Sequence, residues 1–158
     1  MSRTFIGIDP GKRGAIVAIR GGSVVLAERL PWLGKAGMDL ASVAAILRSA
    51  YGAATVLERA QAMPGQGVTS MFGYGEGYGA LQGVLAALGM PYVTVPPRTW
   101  QRAIYGTLPK GAKTKPYAIQ TCRQRLPDLD LTPGQVRKPH DGLADAGCLA
   151  LYAAQVWR

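Results

Sequence analysis

The chain has 158 residues, 48% of them hydrophobic and 17% charged, a balance that excludes a disordered segment and suits one compact domain over residues 1–158. Eighteen Lys and Arg against nine Asp and Glu leave a net charge of +9, which points to a polyanionic partner, nucleic acid first. The opening MSRTFIGIDPG lacks an apolar leader, and no apolar run reaches ~18 residues, so a cytoplasmic, soluble protein with no membrane partner is expected.

From Thr4 to Leu30 three β-prone runs, TFIGI, GAIVAIR and SVVLAERL, are separated by Asp9-Pro10-Gly11 and by Gly21-Gly22, both turn chemistry, which predicts an antiparallel meander. Asp39 stands as an N-cap before LASVAAILRSAY, whose apolar residues recur at helical spacing up to Gly52. ATVLE, ending at Glu58, reads as a buried strand. The stretch AQAMPGQGVTSMFGYGEGYG is so rich in glycine that a loop is expected, followed by a helix in ALQGVLAALG and a strand in MPYVTVPP that Pro96 and Pro97 halt. GTLPKGAKTK reads as a loop, PYAIQTCRQRL as a short helix, PDLDLTPGQVRKP as an irregular connection, and DGLADAGCLALYAAQVW as a closing helix. The expected fold is α/β: a mixed five-stranded sheet, the antiparallel meander continuing into parallel strands, with helices on both faces. Cys122 and Cys148 lie outside any C-x-x-C spacing and suit reduced, buried thiols.

With only nine acids in the chain, their positions are informative. Asp9 ends the strand FIGID and Glu58 ends TVLE; a carboxylate buried there without a partner costs several kcal/mol, so a cation or a salt bridge must compensate. An Asx turn at Asp9 and an ion pair between Glu58 and Arg59 are the plainer alternatives. Asp141 and Asp145 stand four apart at the start of the last helix, on one face. Asp141 could be an N-cap, whereas Asp145, among small apolar residues, has no such role. Asp9, Glu58, Asp141 and Asp145 together form an oxygen-ligand set suited to Mg²⁺, with Mn²⁺ as a substitute. Two such ions ~4 Å apart can activate water and stabilise the leaving oxygen in phosphodiester hydrolysis. His140, beside Asp141, is a further candidate, as ligand, proton relay or orienting neighbour.

Residues 98–138 carry nine of the eighteen basic side chains against two acids. Arg98, Arg102, Lys110, Lys113 and Lys115 are the candidates to track phosphates. In the glycine-rich stretch, Phe72, Tyr74 and Tyr78 could stack on bases. That stretch never satisfies G-x-G-x-x-G and lacks a P-loop lysine, so no nucleotide cofactor is expected.

GIDPG on the first strand, LERAQ around Glu58, the VPPRTWQ segment and the closing HDGLADA resemble, in that order and over nearly the whole chain, the signature segments of RuvC-like Holliday-junction resolvases, especially the phage type. The resemblance implies a ribonuclease H-like domain and a homodimer that nicks four-way DNA junctions in paired strands. It also implies metal-binding acids at Asp9, Glu58 and Asp145. Cellular members place their last two metal residues three apart, where this chain has Gly142, so Asp141 or His140 takes the fourth place. The small-residue helix from Ala80 to Leu88 is the expected dimer contact. Two alternatives keep the fold: a nuclease for RNA–DNA hybrids or flaps, and a catalytically silent binder of branched DNA. An actin-like kinase, also suggested by GIDPG, needs two large domains that 158 residues cannot supply.

Overall fold

A computed structural model describes residues 2–62, 64–134 and 136–157. Met63 and Gln135, inside two of the segments read as irregular, lie outside the described residues. Strand β1 (Thr4–Asp9) pairs antiparallel with β2 (Ala15–Arg20), which pairs antiparallel with β3 (Ser23–Arg29). The β2–β3 turn holds Gly21 at φ 60° and Gly22 at φ 88°, the left-handed pair that a two-residue hairpin needs to match strand twist. Strand β4 (Ala54–Glu58) lies parallel to β1, and β5 (Tyr92–Val95) parallel to β4, giving the order β3-β2-β1-β4-β5.

Alternation along the central strands builds two cores. Ile6, Ile8, Ile16 and Leu57 face helices α1 (Leu40–Ser49) and α2 (Val68–Ala87). Val17 and Val56 face the side of α3 (Pro97–Tyr105), α4 (Lys115–Arg125) and α5 (Asp141–Val156). Asp39 caps α1 as expected, its carboxylate accepting from the Ser42 backbone N–H at 3.1 Å and from the Ser42 hydroxyl at 2.6 Å.

Helix α5 is buried on nearly every side, which its run of Ala, Gly, Leu and Cys permits. Gly7 lets it lie directly on β1: a Cβ at Gly7 would sit 2.1 Å from the Ala146 carbonyl oxygen. On the other side a Cβ at Gly147 would meet the Cys122 sulfur at 2.9 Å. Two glycines therefore fix the depth at which α5 is held between the sheet and α4.

The structure corrects the loop expected over residues 60–79. From Val68 onward that segment is the first half of the 20-residue helix α2. None of its glycines from Gly73 to Gly83 has a positive φ; they serve as helical residues, each costing about 1 kcal/mol relative to alanine. Leu81 and Leu85, fully buried in the second half, anchor the helix, so tertiary packing overrides the local preference for a loop. The nine-residue helix α3 was likewise not expected. Pro96 does end β5, but Pro97 then occupies a position in the first helical turn, where its missing N–H costs nothing.

Candidate active site

The parallel register of β1 and β4 places the first two acids. Ile8 is opposite Leu57, and one step further along each strand come Asp9 and Glu58, side by side at the carboxyl ends of the two central strands. Open α/β sheets gather ligands at that edge. Helix α5 crosses the same edge with its first two turns, bringing Asp141 and Asp145 toward them.

Asp9 and Asp145 feel the charges of the other acids. Burial first, then the neighbouring charges of Glu58, Asp145 and Asp141, raise the Asp9 carboxyl well above the ordinary 3.8. Asp145 is pushed up to about 7, by burial first and then by Glu58 and Asp141, against the opposing pull of Lys115. Burial also raises Glu58, opposed by a hydrogen bond from Trp100. None of the four acids is fully sealed from solvent, and Glu58 lines an open cavity.

Around this cluster the neighbours have distinct parts. The Trp100 indole N–H donates to Glu58 Oε2 at 2.7 Å; Arg59 bonds instead to Thr94, through its carbonyl and hydroxyl oxygens, and makes no ion pair with Glu58. Lys115 Nζ lies 2.6 Å from Asp141 Oδ2, so the lysine expected to track phosphates already has an acidic partner. Asp141 is not the N-cap of α5. That place belongs to His140, whose Nδ1 accepts the Leu143 backbone N–H at 3.1 Å. This bond needs an unprotonated Nδ1, and burial together with Arg13 and Arg29 lowers the histidine pKa.

Gly142 accounts for the departure in spacing. A Cβ there would lie 1.8 Å from the Arg13 carbonyl oxygen and 2.9 Å from its carbon. The β1–β2 turn occupies the space that a carboxylate three before Asp145 would need. Asp141 and His140, the two residues expected to serve instead, come just before that position.

The expected DNA-contact residues are dispersed. Tyr74 stands against the site: its phenol is raised by burial and by the charges of Glu58 and Asp9, and its ring edge would be 3.4 Å from a Cβ on Gly11. Phe72, 72% exposed, is on the rim of a cavity of about 950 Å³ that runs from Glu58 along α2. Tyr78 packs instead against the core beneath α2. Arg98, Arg102, Lys110 and Lys113 are exposed on α3 and the connection after it. Cys122 and Cys148 are buried thiols with sulfurs 3.9 Å apart. Sequence reasoning missed Trp100; its one signal was a large aromatic in an otherwise polar segment, VPPRTWQ.

Four clustered carboxylates without a matching set of cations suit a hard divalent ion. Among the described residues no group of three acidic, histidine or cysteine side chains is placed to hold one ion as it stands.

Two solved structures show the same architecture. The RuvC structure from Thermus thermophilus aligns with a TM-score of 0.65 at 20% identity, over 98% of this chain and 96% of that one. T. thermophilus RuvC in complex with Holliday junction substrate aligns with a TM-score of 0.70, again at 20% identity, over 99% and 95%. The fold is that of RuvC. The mixed five-stranded sheet with helices on both faces, expected from the sequence, is therefore a RuvC-like, ribonuclease H-like architecture. No protein-family model matches the chain, and neither does any curated protein sequence. No helix among the described residues is long and apolar enough to cross a membrane.

Proposed function

We propose that residues 1–158 act as one nuclease domain, a phage-type RuvC-like endonuclease that resolves four-way DNA junctions in the cytoplasm by divalent-metal-dependent phosphodiester hydrolysis. The observation that carries this reading is the gathering of Asp9, Glu58 and Asp145, with Asp141 beside them, at one sheet edge of a strongly basic protein. The similarity to a RuvC bound to Holliday junction substrate supports the substrate class.

Asp9, Glu58, Asp145 and Asp141 would hold Mg²⁺ or Mn²⁺, two ions per site, and the bound metal would supply water activation and charge neutralisation at the scissile phosphate. The chain's own groups prepare that arrangement. Trp100 holds one oxygen of Glu58 and favours its ionised form. Lys115 keeps a positive charge beside Asp141, where a phosphate would enter. His140 sets the start of α5 and with it the direction of Asp141 and Asp145. Phe72 is available to stack on an unpaired base, with Tyr74 as the inner wall of the approach. Arg98, Arg102, Lys110 and Lys113 would contact backbone phosphates.

Paired cuts on a nearly two-fold substrate call for a homodimer. Helix α2 supports one: Val68 and Phe72 are exposed on its first half, and Gly79, Gly83 and Ala86 leave an open outer surface on its second. Light scattering with and without DNA reads this directly.

The deciding experiment compares a four-way junction, a flap, an RNA–DNA hybrid and a plain duplex with Mg²⁺ present. Preferential cutting of the junction is expected. Preferential cutting of the hybrid or flap would replace the substrate assignment, and binding without any cutting would make the protein a silent junction binder.

A further inference from the structure

A second cleft, of about 870 Å³, is walled by the β1–β2 turn, the end of β3, Trp32 and the connection leading into α5. Lys12, Arg13, Arg29, Arg137 and Lys138 line it, opposed by one acid, Glu28. All five cations are exposed, and among the described residues none of them is in an ion pair. Five cations against a single acid at one concavity repel one another, an arrangement that is stabilised when an anion enters. Arginine forks match phosphate oxygens in particular.

The cleft is coupled to the catalytic acids through the backbone. The turn bearing Lys12 and Arg13 begins at Asp9, and the connection bearing Arg137 and Lys138 ends at His140 and Asp141. Gly142 rests against the Arg13 carbonyl, and the His140 N–H donates to the Leu131 carbonyl oxygen at 2.7 Å. Lys12 and Trp32 line both this cleft and the cavity along α2 that Glu58 borders, so the two adjoin.

We propose that this cleft is a second phosphate-binding site, holding the backbone of the DNA strand that continues past the scissile phosphate. The inference rests on the nuclease reading for the direction of the strand. The cleft joins Arg137 and Lys138, at the end of the basic segment, to Lys12, Arg13 and Arg29 from the sheet, apart from the candidates between Arg98 and Lys115.

The test is fluorescence anisotropy of a labelled four-way junction over a KCl series without divalent metal, using Arg29→Gln/Arg137→Gln. Both side chains are exposed, so folding is retained. Arg3→Gln/Arg48→Gln, which removes equal charge away from the cleft, is the control. Each lost phosphate contact lowers the slope of log affinity against log salt by about 0.9, so the cleft variant should lose about 1.8 and bind roughly tenfold more weakly, with the control slope unchanged. Identical slopes in the two variants would overturn the proposal. So would saturable binding of inorganic phosphate alone that the cleft variant loses while its junction slope stays intact, since the cleft would then serve a small anion. If the wild type cuts no junction with Mg²⁺ but the slope difference persists on plain duplex, the nuclease reading falls and the phosphate cleft stands.

Discussion

The Trp100 indole N–H and Glu58 Oε2 are 2.7 Å apart, and Trp100 is fully buried beneath the acid it serves. A hydrogen bond to an ionised carboxylate contributes about 1.5–3 kcal/mol, and here it opposes the effect of burial on Glu58. Trp100→Phe retains most of the packing and loses the donor. The expected result is a kcat about tenfold lower with unchanged junction affinity. The acid limb of the pH–rate profile should also move to higher pH, because Glu58 then protonates more readily. A lower melting temperature with an unmoved acid limb would reduce Trp100 to packing.

Asp145 gives the metal-free protein a defined pH dependence. Its carboxyl titrates at about 7 in the folded chain against 3.8 ordinarily, so the folded state binds the extra proton between those values. Stability from this group is complete below about pH 4 and is lost as pH rises through 7. The loss is at most about 4 kcal/mol. Asp145→Asn removes it: without metal the variant should melt higher than wild type at pH 8 and nearly equally at pH 4. Thermal melts at the two values decide it, and an equal difference at both would contradict an origin in the burial of the Asp145 charge beside Glu58 and Asp141.

Gly142 makes a steric prediction. Gly142→Asp would restore the three-residue spacing to Asp145, yet its Cβ cannot coexist with the Arg13 carbonyl 1.8 Å away. Either the β1–β2 turn or the start of α5 must move, at a cost of about 3 kcal/mol or more. Urea denaturation should show that loss together with reduced cutting. A variant as stable as wild type and more active would refute the steric explanation for the spacing.

His140 and Asp141 separate by readout. His140 caps α5 through Nδ1, so His140→Ala should cost about 1 kcal/mol of stability and only part of the rate. Asp141→Asn should keep stability and lose most of the cutting, although freeing Lys115 leaves DNA binding undiminished. Asp145→Asn should be inactive. Rates on one junction at saturating Mn²⁺ rank the three; an inactive His140→Ala beside an active Asp141→Asn would make the histidine the fourth metal residue.

The strands were readable because Asp9 and Glu58 interrupt apolar runs, where burial makes a carboxylate costly, and because Gly21-Gly22 has one natural use. Asp145 stood out for the same reason. Helix α2 was not readable: its glycines carry the local signal of a loop, and only the buried Leu81 and Leu85 show what holds it. Likewise, the His140 cap, the Trp100 bond to Glu58 and the Arg13–Gly142 contact join residues through three-dimensional packing or backbone atoms, to which sequence spacing is blind.

The most direct measurement is a time course of cutting on a synthetic four-way junction by wild type and Asp9→Asn, each with Mg²⁺, Mn²⁺ or EDTA, beside a binding titration without metal. Wild type should release paired nicks only when a divalent ion is present, and Asp9→Asn should bind the junction with near-equal affinity and leave it intact. Cutting that persists in EDTA, or in Asp9→Asn with Mg²⁺, would contradict a metal-dependent nuclease centred on Asp9.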